Sequence, residues 1–170
     1  MSVCYLPDGC IVACSGGKTA RVWDPETGDV VRSFEGHSGS ILSLQLFPDG
    51  RAVSSSSDKT IRIWDPNNGS CSLVLCGHSG WVFDVCVLLD GRLVSCSSDE
   101  TLRIWDTKTA QCNFILKGHS GAVNCICVLP DDSVASGSQD NTLRIWNTRT
   151  GECFPMILEG HLEVGDLYSV

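Results

Sequence analysis

No apolar stretch in these 170 residues approaches the roughly 20 that a membrane-crossing helix needs; the longest, such as Val85 to Leu89, run only a few residues. The chain therefore reads as soluble. Basic charge is also scarce, with 12 Lys and Arg against 20 Asp and Glu for a net charge of −8. A nucleic-acid backbone or an anionic membrane surface calls for a surplus of cations, so neither is expected as the main partner. Met1 is followed at once by Ser2-Val3-Cys4-Tyr5, without the basic and apolar regions of a secretory signal. That predicts an intracellular protein, the cytoplasm ahead of the nucleus. No segment calls for a helix. The 11 cysteines include the pair Cys125 and Cys127, but no second Cys or His pair stands at a zinc-like spacing. Neither a metal nor a cofactor is expected.

What is present is a period. Gly36-His37, Gly77-His78, Gly118-His119 and Gly160-His161 recur at spacings of 41, 41 and 42 residues, and Trp23, Trp64, Trp105 and Trp146 at 41 throughout. Self-similarity at 20 to 50 residues dictates a repeat architecture. Cysteines obey it too, since Cys71, Cys112 and Cys153 are each 41 residues apart. Like positions in stacked units seldom pair, so a disulfide framework is not expected.

Within one unit, short β-rich runs alternate with turn residues. In the third unit, Val82 to Val87 predicts a first strand, Leu93 to Cys96 a second, Thr101 to Trp105 a third and Gln111 to Leu116 a fourth. Pro-Asp-Gly at 7 to 9 and 48 to 50, and Asp-Pro at 24 to 25 and 65 to 66, supply the turns.

These landmarks identify the chain as similar to the WD-repeat (WD40-type) family. The resemblance implies an all-β fold of four-stranded antiparallel blades, about four of them, forming an open arc or partial β-propeller. It also implies a hydrogen-bonded set in each blade, made by the Gly-His histidine, a strand-two hydroxyl, an aspartate before strand three and the strand-three tryptophan. Three full sets follow by position: His37, Ser54, Asp58 and Trp64; His78, Ser95, Asp99 and Trp105; His119, Ser136, Asp140 and Trp146. A repeated His, Ser and Asp resembles a hydrolase triad, but the structural set accounts for all three copies without catalysis. The whole of 1–170 is then one domain, with 1–35 an incomplete first blade, 36–76, 77–117 and 118–159 full repeats, and 160–170 the start of a further blade. The first unit has Ala13 and Gly17 where Ser and Asp belong.

An open arc leaves apolar end faces bare, so a homodimer closing an eight-bladed ring is one expected state, beside a truncated propeller. In the family, partners dock on the face carrying the fourth-to-first and second-to-third strand loops, where residues differ between blades. At two such places the chain reads Ser40, Trp81, Ala122 and Leu42, Phe83, Asn124; the residues preceding the set aspartates are Ser57, Ser98 and Gln139. Trp81, Phe83, Ser98, Asn124 and Gln139 are the candidate contacts, with the two aromatics as anchors. Arg21, Arg62, Arg103 and Arg144 share one strand-three place and read as a structural rim. The expected function is a non-catalytic scaffold or adaptor binding a protein or peptide. The alternatives are a targeting domain of a larger enzyme and a ubiquitin-ligase substrate receptor. The latter is suggested by Trp105-Asp106-Thr107-Lys108 and Trp146-Asn147-Thr148-Arg149, which resemble a short Trp-Asp-x-Arg docking signature.

Overall fold

A computed structural model describes residues 2–159, with side chains as far as Phe154. The described part is all β, in four sheets of four strands. The first holds β1 (Ser2–Tyr5), β2 (Ile11–Cys14), β3 (Ala20–Trp23) and β4 (Val30–Phe34). The second holds β5 (Ile41–Leu46), β6 (Ala52–Ser56), β7 (Thr60–Trp64) and β8 (Cys71–Cys76). The third holds β9 (Val82–Val87), β10 (Leu93–Ser97), β11 (Leu102–Trp105) and β12 (Cys112–Leu116), and the fourth β13 (Val123–Val128), β14 (Val134–Ser138), β15 (Thr142–Trp146) and β16 (Cys153–Glu159). Each sheet is a meander in which consecutive strands pair antiparallel. This is the arrangement the alternation and turn residues predict. The expected further blade at 160–170 lies outside the described residues.

The first unit, expected to be incomplete, has all four strands; β1 is shortened to four residues. What it lacks is the internal lock, because Ala13 and Gly17 carry no hydroxyl or carboxylate.

Alternation puts one apolar row on each face of a blade, and neighbouring blades bury those rows against each other. Val12, Ala20, Val22 and Phe34 of the first blade meet Leu44, Ala52 and Trp64 of the second, with Phe34 stacked on Trp64 at 5.4 Å between ring centres. Val53, Ile61, Ile63 and Leu75 of the second meet Val85, Leu93 and Trp105 of the third, and the same pairing joins third to fourth. The strands β1, β5, β9 and β13 pack in that order, forming the inner edge of the arc. The cysteines at repeat positions are all free thiols among the described residues.

Among the described residues nothing covers the two end faces. Val3, which occupies the place of buried Leu44 and Val85, is 66% exposed. At the other end Leu143 and Ile145 are only half-buried where Ile61, Leu102, Ile63 and Ile104 are fully covered.

Candidate functional site

Each of the three predicted sets forms one hydrogen-bonded chain. In the second blade His37 Nδ1 lies 2.7 Å from Asp58 Oδ2, its Nε2 lies 2.8 Å from Ser54 Oγ, and Trp64 Nε1 donates to the same oxygen at 2.8 Å. The third blade repeats this with His78, Asp99, Ser95 and Trp105 at 2.8 Å for all three contacts. The fourth does so with His119, Asp140, Ser136 and Trp146 at 2.7, 2.8 and 2.8 Å. One proton arrangement satisfies every atom: Nδ1–H donates to the carboxylate, and the seryl O–H donates to Nε2 while its lone pair accepts the indole N–H.

Burial makes the set exacting, because an unmet donor inside a blade has no water to turn to. It lowers the affinity of His37 and His119 for a second proton, outweighing the neighbouring carboxylates. Burial alone would raise the aspartates. Hydrogen bonds from Thr60 and His37 overcome it at Asp58 and hold that carboxyl at about 2, and the same opposition drives Asp99 and Asp140 well below the ordinary range.

A fifth member escaped the sequence pattern. Thr60, Thr101 and Thr142 donate Oγ1–H to the second carboxylate oxygen at 2.6 Å in each of the three locked blades. Their own 41-residue spacing, shared with Thr19, was the available signal. The loop glycine is fixed by the same geometry, since a Cβ on Gly39 would sit 2.6 Å from the Asp58 amide nitrogen.

The Asp–His–Ser order and distances match those of a hydrolase triad, yet Ser54, Ser95 and Ser136 are buried and each already accepts an indole N–H. A nucleophile needs an open path to a carbonyl and a free lone pair. These serines have no such path and hold the indole on one lone pair, so the sets act as blade locks.

Trp81, Phe83 and Asn124 lie at the start of β9 and β13, where the ladder is interrupted, and Ser98 and Gln139 follow the ends of β10 and β14. Val82 pairs with Ser97 and Asp84 with Cys96, which leaves Phe83 as an unpaired bulge residue. Leu42 and Asn124 are skipped in the same way in their blades. Phe83 stands two residues after Trp81, the spacing that puts side chains on one side of an extended chain. Their rings stand edge to face at 6.3 Å. Trp81 precedes β9 and is 54% exposed, held by its N–H to Ser98 Oγ at 2.8 Å and by its carbonyl to the Ser98 N–H at 2.9 Å. Trp81, Phe83 and Ser98 thus form one group in the third blade. Asn124 and Gln139 occupy the equivalent places in the fourth and make no hydrogen bond to that group among the described residues; Gln139 donates its amide to the Ala122 carbonyl at 2.8 Å.

Sequence reasoning missed Asp84, the neighbour of Phe83. One carboxylate joins three blades, accepting from Ser43 Oγ at 2.7 Å and from the Ile126 amide at 3.4 Å. Burial raises its proton affinity. Burial, with Asp84 and Cys127 alongside, pushes the Cys86 thiol up to about 12, which keeps it protonated and inert. The four strand-three arginines divide as well: Arg62, Arg103 and Arg144 are half-buried, while Arg21 is exposed. Arg103 lies 5.8 Å from the Trp105 ring centre.

A family model described as "WD domain, G-beta repeat" matches residues 1–24, 28–65, 69–106 and 110–147. A curated relative, "Guanine nucleotide-binding protein subunit beta-1" of Caenorhabditis briggsae, is 45% identical over 47 residues, which is 27% of this chain and 14% of the relative. The four matched segments take in every strand from β1 to β15 and all three locks, and the chain belongs to the WD40 repeat family.

Proposed function

We propose that the chain is a non-catalytic interaction scaffold whose partner, a protein or peptide, is anchored by Trp81 and Phe83. The observation that carries this is the contrast between tryptophans. Trp64, Trp105 and Trp146 are buried in locks, whereas Trp81 is exposed in a loop whose equivalent places hold Ser40 and Ala122. Family membership supports the coarse reading, since such blades serve as platforms for other proteins. A large aromatic on a rigid frame offers contact area at little entropic cost.

Peptides selected from a library on the wild-type chain supply the test. Trp81→Ala is expected to weaken such peptides by about 30-fold or more, the scale of a hot-spot residue at about 2 kcal/mol, with the melting temperature nearly unchanged. Undiminished affinity, or a matching loss of stability, would place Trp81 outside the binding surface.

The bare end faces favour a second element of the same proposal, a homodimer closing eight blades. The row carrying Val3 on the first blade has the residue types that the preceding blade covers elsewhere, and the row carrying Leu143 and Ile145 has those that cover it. Light scattering on the purified chain is expected to give twice the monomer mass. A monomer would rule out this closure.

A further inference from the structure

Two departures from the repeat meet on the side of the arc opposite the Trp81 loops. Positions 7, 48, 89 and 130 read Pro, Pro, Leu and Pro, and positions 9, 50, 91 and 132 read Gly, Gly, Gly and Asp. The three glycines have φ of +88°, +90° and +84°, and Asp132 keeps that left-handed backbone at +66°. A residue with a Cβ is strained there and persists only when its surroundings hold it. The holding contact comes from the other departure: the Leu89 amide donates to Asp132 Oδ1 at 3.0 Å, a bond proline has no hydrogen to make.

This bond explains the loss of proline but not the choice of a leucine left 78% exposed. Nor does it use the whole carboxylate. Asp132 is 8% exposed and lines two adjoining hollows of about 170 and 400 Å³, and among the described residues no donor bonds its second oxygen. Asp131 and Arg149 complete the shared wall, with Phe154 at one end and Leu89, Asp90 and Pro130 at the other. Arg92 is already engaged by Asp90 at 2.7 Å and the Thr148 carbonyl at 2.8 Å, so two carboxylates face the single cation Arg149.

We propose that this groove between the third and fourth blades is a second binding site, taking a peptide segment in which a basic side chain lies beside apolar ones. Asp132 and Asp131 take the cation through charge-assisted hydrogen bonds, and Leu89 and Phe154 take the apolar groups. The site is independent of Trp81.

The probes are acetyl-Leu-Arg-Leu-amide and its glutamine analogue, titrated into the full chain and followed by backbone amide NMR shifts. Asp132→Gly installs the residue that the other blades carry at that place and relieves its left-handed backbone, so the variant keeps the fold. The arginine peptide is expected to give saturable shifts at Leu89 and Asp132, with binding about tenfold weaker for the glutamine peptide or for Asp132→Gly. Trp81→Ala leaves this binding unchanged, which separates the groove from the face proposed above. Absence of saturable shifts, equal affinity for the two peptides, or full binding by Asp132→Gly would overturn the proposal.

Discussion

Trp105→Ala is expected to lower stability by about 3 to 5 kcal/mol, the cost of deleting a large buried aromatic. Trp105 is buried at the seam of the second and third blades, among Val53, Ile61, Ile63 and Val85. Its loss opens a cavity on that seam. It also leaves Ser95 Oγ without the indole donor and removes the edge contact with His78 at 6.0 Å. Neighbouring blades share stability through such seams, so the loss should be felt beyond its own sheet. Urea denaturation reads the effect as a lower midpoint. Trp105→Phe retains most of the volume and loses only the donor, and its expected cost is about 1 to 3 kcal/mol. An unchanged midpoint for the alanine variant would contradict the lock. The same substitution at Trp81, an exposed tryptophan, should cost almost no stability; residue type does not set the outcome, position does.

Asp99→Ala is the second large effect. Deleting this carboxylate strips the acceptor from His78 Nδ1–H, the Ser79 and Thr101 amides and the Thr101 hydroxyl together. Buried donors left without partners cost about 1 to 3 kcal/mol, and Asp99→Asn restores only part of this because an amide offers one acceptor oxygen. The pH dependence follows from the depressed carboxyls. Asp58, Asp99 and Asp140 bind protons less readily in the fold than at their ordinary value of 3.8. The unfolded chain therefore takes up protons first as pH falls. Their contribution is fully present above about pH 4 to 5 and drains away below it, through about 2 in the case of Asp58. Wild-type stability should fall steeply in that window, and the gap between wild type and Asp99→Ala should narrow there. Urea midpoints at stepped pH measure both. A gap that stays constant down to the acid limit would mean Asp99 is not the charged member of its lock.

The locks were legible because their members are spaced along the chain by fixed intervals within each 41-residue unit, so type and period together locate them. In the third unit the expected strands at Thr101 to Trp105 and Gln111 to Leu116 differ from the observed ones by a residue at the start, where turn and strand chemistry overlap. The threonines at 60, 101 and 142 were equally periodic. A Thr before a β-rich run is also what strand propensity alone predicts, so period and type do not separate a lock member from a strand former there.

The site reads differently from the frame. Sequence placed Trp81, Phe83, Ser98, Asn124 and Gln139 on one face by analogy between blades, but the grouping of Trp81 and Phe83 with Ser98 depends on two loops of the third blade meeting through the Trp81–Ser98 hydrogen bonds.

The repeat and the four-strand meander are specified within one unit by local pattern and short loops, and the resemblance to the WD-repeat family placed the three His–Ser–Asp–Trp locks on that frame. Only the tertiary structure decided which apolar rows are covered, that Asp84 joins three blades, and that Leu89 and Asp132, 43 residues apart in sequence, share a hydrogen bond. Those depend on how one blade lies against the next. Packing between units is set by surfaces assembled from distant residues, and no periodic pattern along the chain encodes which of them meet.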